Sequence, residues 1–73
     1  MLKIKDNVDL KELEKYGFSD KGDSYMRTSF LYGSIFVEKD TKEITRLHPY
    51  DLRTIPTKNE IQDLIDADLV KEL

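Results

Sequence analysis

SYMRTSFLYGSIFVEKDTKEITRLH, residues 24–48, is the stretch whose reading decides the fold. Tyr25, Arg27 and Ser29 alternate with Met26, Thr28 and Phe30, the period of a strand with one face covered. Gly33 interrupts, and SIFVEK resumes as a second strand rich in β-forming residues. KDTKE is a polar tip of hairpin length between apolar arms, so ITRLH is expected to return antiparallel. Pro49 closes the run, because a central ladder has no use for a residue without an N–H.

The N-terminal flank supplies a strand and a helix. Leu2 and Ile4 alternate with Lys3 and Lys5, which predicts a short strand. Asp9 stands where a cap is needed, with Glu12 three residues on and Val8 and Leu13 spaced as a hydrophobic staple. Gly17 supplies a left-handed stop, and Phe18 can pack back on Leu13. Leu10, Leu13 and Tyr16 line one face of this segment. It is too short to persist alone, so it must dock on the sheet.

SDKGDS, residues 19–24, reads as turn chemistry, and YDLRTIP, residues 50–56, is a connector with no assigned element. Pro56 precedes Thr57, whose Glu60 falls three residues later as a second capping box. Ile61, Leu64, Ile65, Leu69 and Leu73 then recur at helical intervals. The helix is expected from about Lys58 to Asp66, with residues 67–73 either its continuation or a terminal strand. The order is β-α-β-β-β-α. This predicts one α+β domain over residues 1–73, a sheet of three to four antiparallel strands with both helices on one face.

Composition narrows the function classes. A chain of 73 residues buries only ~60% of the surface exposed on unfolding, and 37% of these residues are charged. There is no cysteine, which excludes disulfides and thiolate chemistry and fits a cytoplasmic setting. Thr28–Val37, the longest uncharged run, is too short and too polar to span a bilayer. The single histidine, His48, has no cluster of metal-ligand spacing around it. No serine sits in a nucleophile elbow, and the three glycines form no phosphate loop. The expectation is a non-enzyme without a cofactor or metal.

The opening KIKDNVDLKELEKYGF and the ending DLIDADLVKEL resemble those of short uncharacterised proteins from Gram-positive bacteria and their phages. Those proteins more often carry Ala-Gly where this chain has Ala67-Asp68. The resemblance implies a small self-contained protein of phage or mobile-element origin and transfers no site residue. Aspartate is a poorer helix stop than glycine, so a continued helix is more plausible at Asp68 here than in those proteins.

Two surfaces are candidates for binding. Residues 1–58 hold eleven Lys/Arg against ten Asp/Glu, a net of +1, whereas residues 59–73 hold one against five, a net of −4. Glu60 suits the first turn of a helix. Asp63, Asp66 and Asp68 gain nothing from that dipole and make an acidic face for a protein partner, such as a host defence protein that handles nucleic acid. The alternative is a single-stranded nucleic-acid module using Tyr25, Arg27, Arg46 and Tyr50 on an open sheet face. An acidic chain lacks the cationic surplus that phosphate binding needs, so nucleic acid ranks second. A homodimer through a strand edge is a third possibility.

Overall fold

The alternation read in residues 24–48 is realised as a meander. The computed structural model describes residues 1–29, 33–47 and 56–72. Strands β3 (Ser24–Ser29), β4 (Gly33–Glu38) and β5 (Glu43–Leu47) follow β1 (Leu2–Ile4) and β2 (Ser19–Asp20) in the chain, and β6 (Val70–Glu72) comes last. Tyr25 pairs with Val37 and Val37 with Ile44, while Arg27 pairs with Ile35 and Ile35 with Arg46. These six residues therefore share one face. Tyr25, Ile35, Val37 and Ile44 on it are buried.

The sheet is larger than the sequence suggested. Among the described residues it has six strands in the order β2-β3-β4-β5-β1-β6, every neighbouring pair antiparallel. The expected count of three to four strands and the order β-α-β-β-β-α are therefore corrected, while the α+β architecture stands. Two short strands account for the difference. Ser19 and Asp20 pair with Met26 and Tyr25 across a tight turn that the sequence marked only as a loop. Val70–Glu72 pairs with the side of β1 that β5 leaves open.

The first helical segment, η1 (Leu10–Tyr16), is a 3₁₀ helix. Its apolar residues recur every third position, and in a 3₁₀ helix side chains at i and i+3 stand directly above one another. That stacks Leu10, Leu13 and Tyr16 in one line over the core, with Leu13 fully buried. The Asp9 carboxylate accepts from the Lys11 N–H at 3.0 Å. Gly17 takes φ 87°, and the Phe18 and Gly17 N–H groups donate to the Leu13 and Glu14 carbonyls. This is the Schellman stop expected there.

A second helical unit combines a 3₁₀ turn, η2 (Lys58–Ile61), with a short helix, α1 (Gln62–Asp66). The capping box expected at Thr57 does not form, since the Thr57 side chain makes no cap bond. Glu60 is engaged elsewhere. Of the two readings left open for residues 67–73, the terminal strand is the one that forms. Asp68 adopts φ 60°, Leu69 donates to the Leu64 carbonyl at 3.1 Å, and Asp68 donates to that of Ile65 at 2.9 Å. This repeats the stop of η1, with Asp68 in the place of Gly17 and Leu69 in that of Phe18. Aspartate tolerates the left-handed region better than most residues, and its carboxylate is held by Lys5 at 2.6 Å. The chain then enters β6.

Ile61 and Leu64 from this unit, Leu13 from η1 and Leu2 and Ile4 from β1 join the buried sheet residues in one core. Both helical units lie on the face that carries Tyr25, Arg27 and Arg46. Among the described residues, no helix is long and apolar enough to cross a membrane.

Candidate functional site

The residues singled out from the sequence fall into two sets, and the structure brings the sets together. Arg27 lies on the covered face of β3, only 18% exposed, under the second helical unit. Its Nη1 donates to Asp63 at 2.6 Å and to the Tyr16 carbonyl at 3.0 Å. Its Nη2 donates to the Glu60 carbonyl at 3.0 Å, and the guanidinium lies 4.7 Å from the centre of the Phe18 ring. One arginine thus ties β3, the end of η1 and the start of the second helical unit together. A planar fork with five donors suits that task, and an ammonium would not.

Arg46, on the same face of β5, makes the second tie. Its Nη1 donates to Glu60 Oε1 at 2.8 Å. The Glu60 side chain is 2% exposed against 23% for Arg46, and Glu60 Oε2 is buried without a hydrogen-bond partner. A carboxylate removed from water to this degree depends on its cation. Glu60 was read from sequence as a helix-start residue. Its role as the buried partner of Arg46 was missed. The available signal was parity, since Arg46 is in phase with Ile44 and Arg27 with Tyr25.

The candidate residues can now be placed. Asp63 is the partner of Arg27, and Asp68 the partner of Lys5. Asp66 is exposed and accepts a hydrogen bond from Gln62 at 2.8 Å. Tyr25 is 5% exposed, with the Lys39 ammonium 5.3 Å from its ring centre. Tyr25, Arg27 and Arg46 do share a face, but it is the one covered by helices rather than an open one. Tyr50 and His48 lie outside the described residues. Among those that are described, no group of three His, Asp or Glu residues could hold a metal ion.

The opposite face of the sheet carries no described helix. Met26, Phe36 and Thr45 form one row across it, and Thr28, Ser34 and Leu47 another. Met26 is half-buried and Leu47 is 39% exposed. A third row runs Glu43, Lys3, Lys71 toward the β6 edge. Lys3 and Lys71 both reach Asp6 at 3.1 Å. Hydrogen bonding to Lys3 first and Lys71 second, reinforced by their charges, holds the Asp6 carboxyl below its usual range. At the other end of the sheet, the Lys39 ammonium and then the Gly22 N–H lower Asp20 in the same way.

Lys42 adds a further brace. Its backbone has φ 65°, and its ammonium donates to the Asp6 carbonyl at 3.0 Å and the Val8 carbonyl at 2.7 Å. The loop between β1 and η1 is thereby fastened to the tip of the β4–β5 hairpin.

Compared with protein-family models, with curated proteins and with solved structures, the chain matches none at a significant level.

Proposed function

We propose that this chain is a non-enzymatic protein-interaction module that engages its partner through the sheet face away from the helices. The supporting observation is the one-sided layering. Helices cover one face, and the other presents Met26 and Leu47 among threonine and serine. Apolar side chains among polar ones, on a face that no described helix covers, are the kind of surface that protein contacts use. The charge on that face is mixed, with Glu38 and Glu43 set against Lys3 and Lys71, which gives phosphate no preference.

The narrower form is an inhibitor that shows carboxylates where a nucleic-acid-handling enzyme takes phosphate. It has Asp66 as its main support, because Asp63 and Asp68 already neutralise Arg27 and Lys5. No observation favours the nucleic-acid reading, whose arginines are bound to Asp63 and Glu60.

The test is capture of a partner from a lysate of the source organism by the wild-type chain and three folded variants. Met26→Lys and Leu47→Glu alter the open face, and Asp66→Lys alters the helix. Loss of the same captured protein with the first two and retention with the third supports the reading. Undiminished capture by both open-face variants overturns it, as does the absence of any captured protein. Loss only with Asp66→Lys returns the acidic helix to the leading place.

A further inference from the structure

β6 is an outer strand of the sheet, and the hydrogen bonds of β1 show which of its backbone groups are turned outward. The Ile4 N–H donates toward the β5 side, to the Lys42 carbonyl at 2.9 Å. The Lys5 N–H donates to the Leu69 carbonyl at 2.9 Å on the other side. Alternation then makes Lys3–Lys71 the hydrogen-bonded pair of the β1–β6 ladder. Lys71 faces β1 with both its backbone groups, and Val70 and Glu72 turn theirs to the outside. The strand contains no proline, and what guards this edge is its three-residue length and the charges of Lys71 and Glu72. The far edge, β2, is only two residues long and runs into the turn where Gly22 donates to Asp20.

The side chains at the β6 edge set the chemistry of whatever pairs with it. Antiparallel self-pairing about a two-fold axis has three registers that keep outward groups opposite outward groups. One sets Lys71 against Lys71, another Glu72 against Glu72, and the third brings Glu72 against Asp68. Like charges directly opposite are destabilising, so the first two registers are penalised, and the third can pair only Val70 with Val70 because Asp68 lies outside the strand at φ 60°. The lysines point to a different occupant. Lys3 and Lys71 share one carboxylate, Asp6, and Glu43 stands opposite Lys3, so the outer side of Lys71 is the place in this row where a further acid would find a cation. The row Glu43, Lys3, Lys71 continues naturally with an acid in the next strand. Val70 packs against the core from the other face, so an apolar residue suits the position opposite it.

We infer that the β6 edge is a docking site for an extended segment of another protein, added as a seventh, antiparallel strand. That segment carries an acidic residue opposite Lys71, an apolar residue opposite Val70 and a basic residue opposite Glu72. Main-chain bonds to Val70 and Glu72 supply attachment, and the three side chains supply selection. The inference rests on the strand edge, meets the open-face reading only at Lys71 and does not need it.

The test is a nuclear magnetic resonance titration of the labelled chain with two capped hexapeptides. One is acetyl-Thr-Thr-Lys-Glu-Val-Thr-amide, and the other has its Lys and Glu exchanged. The first is expected to shift the Val70 and Glu72 amides and slow their hydrogen exchange. It should bind roughly tenfold tighter than the exchanged peptide, from two reversed cross-strand pairs. The chain carrying Lys71→Glu and Glu72→Lys should reverse that preference. The proposal is overturned if neither peptide moves these amides, or if the two bind alike. Protection of both amides in the chain alone as its concentration rises also overturns it, because that is self-pairing. Shifts confined to Met26 and Leu47 overturn the edge proposal and leave the open-face reading standing.

Discussion

Replacing Arg46 with Met should damage this fold more than any change to its exposed charges. The substitution keeps an unbranched stem against the sheet and removes the guanidinium. Glu60 is then left as a carboxylate 2% exposed, with one oxygen already lacking a hydrogen-bond partner and the other deprived of its donor. Breaking a buried pair from one side costs about 3–5 kcal/mol. A domain of 73 residues is expected to have a total stability of roughly 4–11 kcal/mol. With a urea slope of about 1 kcal/mol per molar for so small a chain, the midpoint should fall by about 3 M or more. The reverse deletion, Glu60→Met, should cost less, near 1–2 kcal/mol. Arg46 is 23% exposed and can turn toward water. The double variant Arg46→Met with Glu60→Met should recover to within about 1 kcal/mol of wild type or exceed it, as apolar replacement of buried pairs often does. Urea titrations followed by circular dichroism give all four corners of the cycle, and the coupling term separates Glu60 from the other contacts of Arg46. Two results would refute the reasoning: a loss below 1 kcal/mol for Arg46→Met, or no recovery in the double variant.

Four further outcomes follow from the same geometry. Asp68→Gly should raise stability by about 0.5 kcal/mol in urea titration, because relief at φ 60° exceeds the loss of an exposed pair with Lys5. Gly17→Ala should lower it by about 1 kcal/mol or more, since Gly17 holds φ 87°. Lys42→Met should cost about 1–2 kcal/mol by removing the donor to the Asp6 and Val8 carbonyls, with faster hydrogen exchange in residues 5–9 as the local readout. Acid should weaken the fold through Asp6 and Asp20, whose carboxyls are held below the usual value by their lysine partners. A carboxyl lowered in the folded state contributes fully above its unfolded value, near 4, and loses that contribution as pH falls through the folded value. Asp6→Asn and Asp20→Asn together should flatten the stability curve below pH 4 and leave it almost unchanged in shape between pH 6 and 8.

What could be read from the sequence followed the range of the interactions involved. The boundaries of η1 were visible because Asp9, Gly17 and Phe18 act within one turn of each other, although the spacing of Leu10, Leu13 and Tyr16 already favoured a 3₁₀ helix. The meander was visible because three successive strands alternate over five or six residues each. β6 was visible only as one of two alternatives, because three residues carry too little pattern and the strand exists only where β1 offers its second side. The stop at Asp68 went unseen because aspartate is a weak left-handed former, and the Lys5 carboxylate partnership that supports it spans most of the chain. The Thr57–Glu60 spacing matched a capping box and failed to form one, since Arg46 draws the Glu60 side chain into the interior. The same cause moved the candidate sites. Arg27 and Asp63 read as members of two rival binding surfaces and are bonded to each other.

The central claim is that these charges hold the fold together; among the described residues, the open sheet face and the β6 edge are the surfaces proposed for a partner. Hydrogen exchange at Val70, Lys71 and Glu72 tests it most directly. Lys71 should be protected by its ladder with Lys3 while Val70 and Glu72 exchange freely. Fast exchange at all three would contradict the sixth strand, and protection of Val70 and Glu72 in the isolated chain would contradict the free edge.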